Sequence, residues 1–271
     1  MYNKLTLYIE IGAILKILTI GDVVSKQGCD YLMQKLPALK REFAADLVIV
    51  NGENSAIGNG ILPQSARFIF DCGADVITLG NHSLKRMEIY PFLEENEYII
   101  RPANYHPSAP GKGMTIIDKG YIRVAVINLQ GTIYLEPIRN PFDVIDELIN
   151  EAEKADCRII IIDFHAEATS EKRGMGYYID GRVSAIFGTH THVQTSDNQI
   201  LPNGTGYITD IGMTGPLHSV LGVSTELAIE KMKTGLPVRF KNEDGPCTIE
   251  GCLFDIDNKT GKTVGTEIFR R

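Results

Sequence analysis

Side chains that can bind metal ions follow five of the apolar, strand-like segments of the sequence. They stand in the segments Gly21-Asp22, Asn51-Gly52-Glu53-Asn54, Gly80-Asn81-His82, Asp163-Phe164-His165 and Gly188-Thr189-His190-Thr191-His192, which contain four of the six histidines. Carboxylates, imidazoles and amide oxygens bind manganese, iron or zinc in sites of mixed nitrogen and oxygen donors. Two such ions about 3.5–4 Å apart need a bridging group, and a carboxylate can supply it.

Each of these segments also has a simpler explanation when it is taken alone. An aspartate after a strand, such as Asp22, more often caps a turn or a helix, and Asn51-Gly52 is typical of a turn. His165 alone is compatible with a hydrogen-bonded core histidine. The segment from 188 to 192 is the strongest single signal, because alternation along an extended segment places both imidazoles on one side. Together, the five segments are better explained by one site than by five separate caps.

The elements that must position these groups are short strands that alternate with helices. Strands are predicted at the apolar runs 16–20, 47–50, 76–79, 124–127, 158–162 and 184–187, and helices near 28–43, 62–72 and 142–155. Continuous apolar runs are typical of strands covered on both faces, and this alternation predicts a layered α/β fold with much parallel pairing. Ligands of such folds bind beyond the carboxyl ends of the strands. After residue 200, glycine, proline and short β runs predict antiparallel hairpins.

The organisation of the chain predicts one catalytic domain at residues 15–271, with a possible small cap at 83–113. Residues 1–14 are predicted to be an extension ahead of the first strand. Glu10 and Lys16 interrupt the apolar start, and no small-residue cleavage site follows it. We therefore predict neither a signal peptide nor a membrane span, and a cytoplasmic location.

The composition of the 271 residues is that of an ordinary globular protein, with 44% hydrophobic and 23% charged residues. The formal net charge of −7 argues against a protein that binds long nucleic acid through its phosphates. A small anionic ligand remains compatible, because bound metal ions reverse the local field. Five cysteines favour reduced thiols over a disulfide framework. Cys247 and Cys252 could form half of a zinc site, but ordinary strand cysteines are the favoured interpretation.

The ordered motifs GD, GEN, GNH, H and GTHTH resemble those of the calcineurin-like metallophosphoesterases, and most closely the YmdB-like family. Matching segments extend from Lys16 over nearly the whole chain and include DLVIVNGEN, DVITLGNH, DFHAEATSEK, YITDIGMTGP and TGLPVRF. Members of that family resemble dinuclear-metal 2′,3′-cyclic nucleotide phosphodiesterases. The resemblance implies their fold, in which β-sheets are sandwiched by helices.

The same resemblance implies two metal ions that share a bridging glutamate. The ligands of the first would be Asp22, Glu53, Asn54 and His192, and those of the second Glu53, Asn81, His165 and His190. His82 would stand unligated beside the substrate. The general superfamily has a histidine where this chain has Val24, and the resemblance implies that Asn54 replaces it. The family commonly reads GDVVGKPGR at the first turn, whereas this chain has Ser25, Gln27 and Cys29.

We therefore expect a dinuclear metal-dependent phosphoesterase that hydrolyses phosphodiesters, with 2′,3′-cyclic nucleotides as the expected substrates, through attack of a metal-bridging hydroxide. His82 is the candidate acid for the leaving alkoxide, and its alternative role is to orient a ligand. The expected ions are iron, manganese or both, and zinc also fits the donors. Asn128 and Gln130, which follow a strand, are candidate substrate contacts, and Asp163 and Glu167 are candidate orienting groups.

Two other functions remain open on the sequence alone. A phosphomonoesterase, such as a protein phosphatase, would have the same metal-binding residues. A metal-dependent nucleotide sensor would bind the same ligand with little turnover. In each case the expected partner is a small phosphodiester or nucleotide rather than long nucleic acid or a membrane, and a homo-oligomer is compatible with the sequence.

Overall fold

The computed structural model describes residues 14–271, which form two β-sheets with helices on their outer faces. The strands are β1 (Ile14–Ile20), β2 (Asp22–Val23), β3 (Leu47–Asn51), β4 (Val76–Thr78), β5 (Ile99–Ile100), β6 (Met114–Asp118), β7 (Arg123–Gln130), β8 (Ile159–His165), β9 (Ala185–Thr189), β10 (Gln199–Ile200), β11 (Gly206–Ile208), β12 (Met213–Pro216), β13 (Cys247–Asp257) and β14 (Thr263–Arg270). The helices are α1 (Ser25–Glu42), α2 (Pro63–Asp71), α3 (Tyr90–Glu95), α4 (Pro141–Lys154), α5 (Thr169–Tyr178) and α6 (Thr225–Thr234), with a 3-10 turn at Met87–Ile89.

The strand order confirms the predicted layered α/β fold. The first sheet runs β2-β12-β13-β1-β3-β4-β5, with β14 paired to β13, and the second runs β10-β11-β9-β8-β7-β6. Strands β1, β3, β4 and β5 are parallel, as are β7, β8, β9 and β11. Near the C-terminus, β13 is antiparallel to β1, β12 and β14, as predicted. The carboxyl ends of the central parallel strands therefore present their following loops at one edge of each sheet.

Alternation along the strands explains their continuous apolar runs. In β1, Ile17 packs in a cluster that takes residues from both sheets, whereas Leu18 packs in a cluster that includes helices α1 and α2. In β8, Ile161 lies in the first of these clusters, and Ile162 packs in a third with α4 and α5. Each central strand is thus apolar on both faces because a sheet covers one face and helices cover the other.

Helices α5 and α6 were not predicted, because neither has a clear apolar stripe. Helix α5 buries Glu171 and Lys172 beside Met175 and contains two glycines, and Ala228 is the buried residue of α6. A helix is recognised in sequence from apolar residues at a spacing of three and four, and these segments offer few.

The segment 83–113, which was predicted as a small cap, contributes β5 to the first sheet. Strand β5 pairs in parallel with β4, and the side chains of Ile89 and Leu93 are buried in the core. Its role as a cap stays a prediction. The predicted N-terminal extension lies outside the described residues except for Ile14, which begins β1. Among the helices of residues 14–271, none is both long and apolar enough to cross a lipid bilayer.

Candidate metal centre

The carboxylate of Glu53 lies at the centre of the candidate site and is fully buried. Its Oε1 atom is 3.1 Å from Nε2 of His165 and 3.3 Å from Nδ1 of His82, and its Oε2 atom accepts a hydrogen bond of 2.9 Å from the His82 backbone. Burial raises the pKa of Glu53, but the charge and hydrogen bond of His165, with those of His82, outweigh it and hold the pKa well below its usual value. Glu53 is therefore a carboxylate anion at neutral pH.

Two imidazoles and an amide oxygen surround the same carboxylate. Donor atoms of Glu53, His165 and His190 lie within 4.8 Å of one another, an arrangement that can hold a metal ion. The Nε2 atom of His165 is 3.1 Å from Oδ1 of Asn81 and 3.0 Å from Nδ1 of His190. Burial lowers the pKa of His165, but the charge of Glu53 and its hydrogen bond outweigh burial and raise that pKa to about 9. The pKa of His190 is lowered to about 3 by burial and by the charge of His165.

The side chains implied for the first ion meet around the amide of Asn54. Its Nδ2 atom is 3.1 Å from Oε1 of Glu53, 3.2 Å from Nε2 of His192 and 3.5 Å from Oδ1 of Asp22, while its Oδ1 atom is 3.0 Å from Nδ1 of His82. Amide nitrogen and oxygen are nearly equal in shape, so a half-turn of the amide presents the oxygen to the same three groups. The donor chemistry at this position therefore fits a divalent cation.

The structure thus brings together every residue predicted from the motifs: Asp22, Glu53, Asn54, Asn81, His82, His165, His190 and His192. Five of them, Glu53, Asn54, His82, His190 and His192, line a pocket of about 270 Å³. Carboxylate, imidazole and amide donors that converge in this way fit the mixed nitrogen and oxygen coordination of iron, manganese or zinc. The division of these ligands between two ions stays a prediction.

The backbone of the two C-terminal histidines differs from the prediction. Strand β9 ends at Thr189, and φ is +98° at His190 and +61° at His192. The expected extended segment with alternating side chains is therefore wrong. Both imidazoles reach the pocket because two residues adopt left-handed conformations, which are rare for non-glycine residues and cluster at functional sites.

A buried ion pair holds this strained turn, which we call the histidine turn (residues 190–192). The Oδ2 atom of Asp210 accepts hydrogen bonds from the Thr191 backbone at 3.1 Å and the Thr191 hydroxyl at 2.7 Å, and it is 2.8 Å from Nζ of Lys172. The side chains of Lys172 and Asp210 are 2% and 0% exposed. Sequence reasoning did not assign either residue, although both lie in segments that match the family.

His165 is oriented from behind by a threonine and an aspartate. Its Nδ1 atom is 2.8 Å from the Thr189 hydroxyl, which donates a 2.6 Å hydrogen bond to Oδ1 of Asp163. Because the hydroxyl proton is donated to Asp163, the hydroxyl accepts a hydrogen bond from Nδ1–H of His165, so a neutral His165 would carry its proton on Nδ1. Nε2 is then free to bind a metal ion. Burial raises the pKa of Asp163 to about 6, against the hydrogen bonds that it accepts.

Glycine at position 80 permits the close packing of this site. A Cβ atom built on Gly80 would overlap the imidazole of His165 and the carboxylate of Glu53. No side chain larger than hydrogen therefore fits at position 80 while Glu53 and His165 keep their places. Glu167, the other candidate orienting group, contacts His190, with its Oε2 atom 3.1 Å from Nε2 of the imidazole.

Asn128 and Gln130, the predicted substrate contacts, are fully buried. The Asn128 amide accepts from the Leu79 backbone at 3.1 Å and donates to the Asp163 carbonyl at 3.3 Å, so it links β7 and β8 to the end of β4. Gln130 accepts a 3.0 Å hydrogen bond from the Tyr105 hydroxyl. Contact with substrate stays a prediction for both residues, and these positions favour a structural role.

The remaining candidate ligands lie away from this pocket. Cys247 and Cys252 both belong to β13, and Cys252 is fully buried. The group of potential metal donors found among residues 14–271 contains neither cysteine. The two histidines outside the motifs, His106 and His218, are exposed.

Comparisons with known proteins agree with this geometry. Residues 18–269 match the family model described as YmdB-like protein. A 2′,3′-cyclic-nucleotide 2′-phosphodiesterase from Bacillus subtilis is 48% identical over 253 residues, which cover 93% of this chain and 96% of the relative. The structure of a phosphatase from Mycoplasma pneumoniae superposes with a TM-score of 0.89 at 36% identity, over 95% of this chain and 93% of the other. A Thermus thermophilus protein described as hypothetical superposes with a TM-score of 0.88, also at 36% identity, over 95% of this chain and 99% of its own.

Proposed function

Because this chain belongs to the YmdB-like protein family, we propose that it is a metal-dependent phosphodiesterase that hydrolyses 2′,3′-cyclic nucleotides. The observation that carries the proposal is the convergence of donor atoms of Glu53, His165 and His190 beside a pocket that His82 also lines. The printed activity of the Bacillus relative supports the substrate class, since identity extends over almost the whole of both chains.

We propose that Glu53 bridges two cations. Asp22, Asn54 and His192 would complete the first site, and Asn81, His165 and His190 the second. When bound, the ions supply Lewis-acid polarisation of the phosphate and lower the pKa of a water molecule. We propose iron, manganese or both, because nitrogen and oxygen donors of this mixture suit them, and zinc fits the same donors.

His82 is placed to handle the proton of the leaving group. Its Nδ1 atom is held by Asn54 and Glu53, and its side chain is 25% exposed in the pocket. Within residues 14–271, its Nε2 atom has no hydrogen-bond partner, so this atom can donate to an oxygen of the substrate. Hydrolysis adds water to phosphorus and breaks one bond from phosphorus to a ribose oxygen. That oxygen takes the proton from Nε2, and the proton lost by water returns to His82 through solvent.

Two variants test this assignment. Glu53→Gln removes the bridging charge, so bound metal and hydrolysis of 2′,3′-cyclic AMP should be lost together while the protein stays folded. His82→Ala should retain the metal and slow hydrolysis by about 10²–10⁴-fold, the usual contribution of a positioned acid. The exposed His106→Ala is the matched control and should behave as wild type. Full activity of Glu53→Gln with normal metal content would contradict the bridging role, and loss of metal in His82→Ala would make His82 a ligand.

The alternative of a phosphomonoesterase has a specific observation in its favour, because the Mycoplasma structure is described as a phosphatase. Comparing bis-p-nitrophenyl phosphate with p-nitrophenyl phosphate separates the two activities. Product analysis on 2′,3′-cyclic AMP separates an enzyme from a nucleotide sensor. Binding without product would favour the sensor.

We further propose one catalytic domain at residues 15–271 and a cytoplasmic location. The shared core between the two sheets supports the single domain. The five free cysteines support a reducing compartment, because disulfides are rare there. Subcellular fractionation with an antibody to the chain tests the location, and recovery outside the cytoplasmic fraction would contradict it.

A further inference from the structure

A second pocket beside the metal pocket is lined by positive charges. It measures about 730 Å³ and is lined by Ile57, Gly58, Asn59, Lys85, Arg86, Val223, Arg239, Phe240, Lys241 and Asn242, and we call it the cationic groove. Four of these described lining residues are cationic and none is acidic. The whole chain has a net charge of −7, so this excess of positive charge is local and does not follow from composition.

Three of the four cations are free to bind a ligand. Lys85, Arg239 and Lys241 are exposed, and within residues 14–271 their side chains form no ion pair or hydrogen bond. Arg86 differs, because its Nε atom donates a 3.1 Å hydrogen bond to the Asn59 carbonyl and its guanidinium also contacts the Ile57 carbonyl. Arg86 thus holds the wall of the groove, and the other three present their charges to solvent.

The groove adjoins the metal pocket. Asn59, Val223 and Asn242 line both. Val223 forms a β-bridge with Asn242, and two residues before it the Leu221 carbonyl lies 3.2 Å from Nδ1 of His192. A ligand whose reacting phosphate lies among the metal-binding side chains can therefore extend its next group past these shared residues towards the groove.

The groove has the chemistry of a site for a short single strand. Lysine and arginine bind phosphate oxygens through charge-assisted hydrogen bonds. Phe240 is 50% exposed, and aromatic side chains beside a cationic path stack nucleobases without sequence preference. The metal pocket, at about 270 Å³, lies just below the usual range for ligand sites, about 300–1,000 Å³. It has room for the reacting end of a substrate and little more.

We propose that the cationic groove binds the nucleotide that precedes the reacting terminus, so that the preferred substrate is a short oligoribonucleotide ending in a 2′,3′-cyclic phosphate. The inference rests on the proposed phosphodiesterase function. Lys85, Arg239 and Lys241 bind the phosphate on the 5′ side of the terminal nucleoside, and Phe240 stacks on the preceding base. The positive charge of the groove favours binding of a short strand, because the acidic surface of the rest of the chain would repel the phosphates of a longer one.

The test compares kcat/KM of the metal-loaded protein on three substrates. They are 2′,3′-cyclic AMP, the same nucleotide with a 5′-phosphate, and a diadenylate ending in a 2′,3′-cyclic phosphate. We expect kcat/KM to rise roughly 10-fold from the first to the third, and the preference to fall with added salt. The second substrate separates the contribution of the phosphate from that of the base. Phe240→Leu should reduce only the increase in kcat/KM from the 5′-phosphorylated nucleotide to the diadenylate.

The triple variant Lys85→Gln, Arg239→Gln, Lys241→Gln should bring the ratio of kcat/KM for the diadenylate over 2′,3′-cyclic AMP to about one. Lys231→Gln with Lys233→Gln removes two exposed charges of α6 outside the groove and should leave the ratio unchanged. If the triple variant melts early, Arg239→Gln alone should still reduce the ratio. A wild-type ratio of one, or a folded triple variant that keeps the preference, would overturn the inference.

A binding measurement distinguishes failure of this inference from failure of the proposed function. Calorimetry compares diadenylate carrying a 3′-phosphate with adenosine 3′-phosphate on the metal-loaded protein. The groove predicts tighter binding of the diadenylate, and the triple variant should lose the difference. If the wild type hydrolyses none of the cyclic substrates, the proposed function is wrong, and this comparison still decides whether the groove binds a strand. Equal affinities would refute the groove even in an active enzyme.

Discussion

Replacing Asp210 with asparagine tests how the histidine turn is held. The Oδ2 atom of Asp210 accepts from Lys172 and from the backbone and hydroxyl of Thr191, and Oδ1 accepts a 2.9 Å hydrogen bond from the Gly212 backbone. The partners at both oxygens include groups that can only donate. An asparagine amide must therefore face at least one of them with its own NH₂ group, and the ammonium of Lys172 loses its counter-charge.

The size of the effect follows from the burial of the pair. With side chains 2% and 0% exposed, Lys172 and Asp210 are fully desolvated. Removing one partner of such a pair costs about 3–5 kcal/mol of unfolding free energy. At roughly 2–4 °C per kcal/mol for a chain of this size, the melting temperature should fall by about 6–20 °C. Turnover should also fall, because His190 and His192 lose the support of Thr191.

Thermal unfolding of three variants measures this effect. Asp210→Asn should be less stable than the double variant Lys172→Met, Asp210→Asn, because the double variant leaves no buried charge without a partner. Glu147→Gln breaks the exposed pair with Arg139 and is the matched control, with an expected cost of about 0–1 kcal/mol. If Asp210→Asn lowered the melting temperature no more than Glu147→Gln, the buried pair would not be what stabilises the histidine turn.

Three further predictions concern the packing at Gly80, the backbone conformation at Ser25 and the protonation of His165. Gly80→Ala should abolish turnover, because the added Cβ would displace His165 and Glu53. The control is Gly174→Ala in α5, whose Cβ would meet only an ordinary contact at 3.8 Å, and this variant should keep its activity. Equal activity of the two variants would refute the packing argument. Ser25 has φ of +63° and a buried hydroxyl that lacks a hydrogen-bond partner among the described residues. Ser25→Gly should therefore raise the unfolding free energy, measured by chemical denaturation, by about 1 kcal/mol. A loss of stability would contradict this. Because Glu53 raises the pKa of His165 to about 9, the metal-free imidazole is protonated near neutral pH, and metal binding at about pH 7.5 should release a proton. Calorimetry in buffers of different ionisation enthalpy measures that release, which should shrink as the pH rises through about 9; its absence at the lower pH would place the metal elsewhere.

Much of the fold and of the candidate site could be predicted from local patterns. The apolar runs at β1, β3, β4, β7, β8 and β9 were correctly predicted as strands, because strands covered on both faces leave continuous apolar segments. The family resemblance is confirmed by the match over residues 18–269. Helices α5 and α6 were missed because their few apolar residues leave no periodic signal.

The residues that support the site were harder to predict. The histidine turn depends on Asp210, which lies 19 residues after Thr191, and on Lys172, which lies 38 residues before Asp210. A left-handed φ at His190 is locally unfavourable, so contacts between distant segments maintain it, and these include the hydrogen bond from the His190 backbone to Asp22. Asn128 was expected to follow a strand, but it lies within β7, where it is fully buried and accepts a hydrogen bond from the Leu79 backbone.

By itself, the sequence determined which chemical groups lie at the carboxyl ends of which strands, because the apolar runs that form the strands and the polar groups at their ends are local features of the chain. The tertiary structure brought the edges of the two sheets together. The tertiary structure decided which of those groups touch, how the histidine turn bends, and that Lys85 lies in one groove with Arg239 and Lys241. Electrostatic and hydrogen-bond energies depend on distance and burial in three dimensions. Residues far apart in the chain come close together and become buried only when the layers of the fold pack.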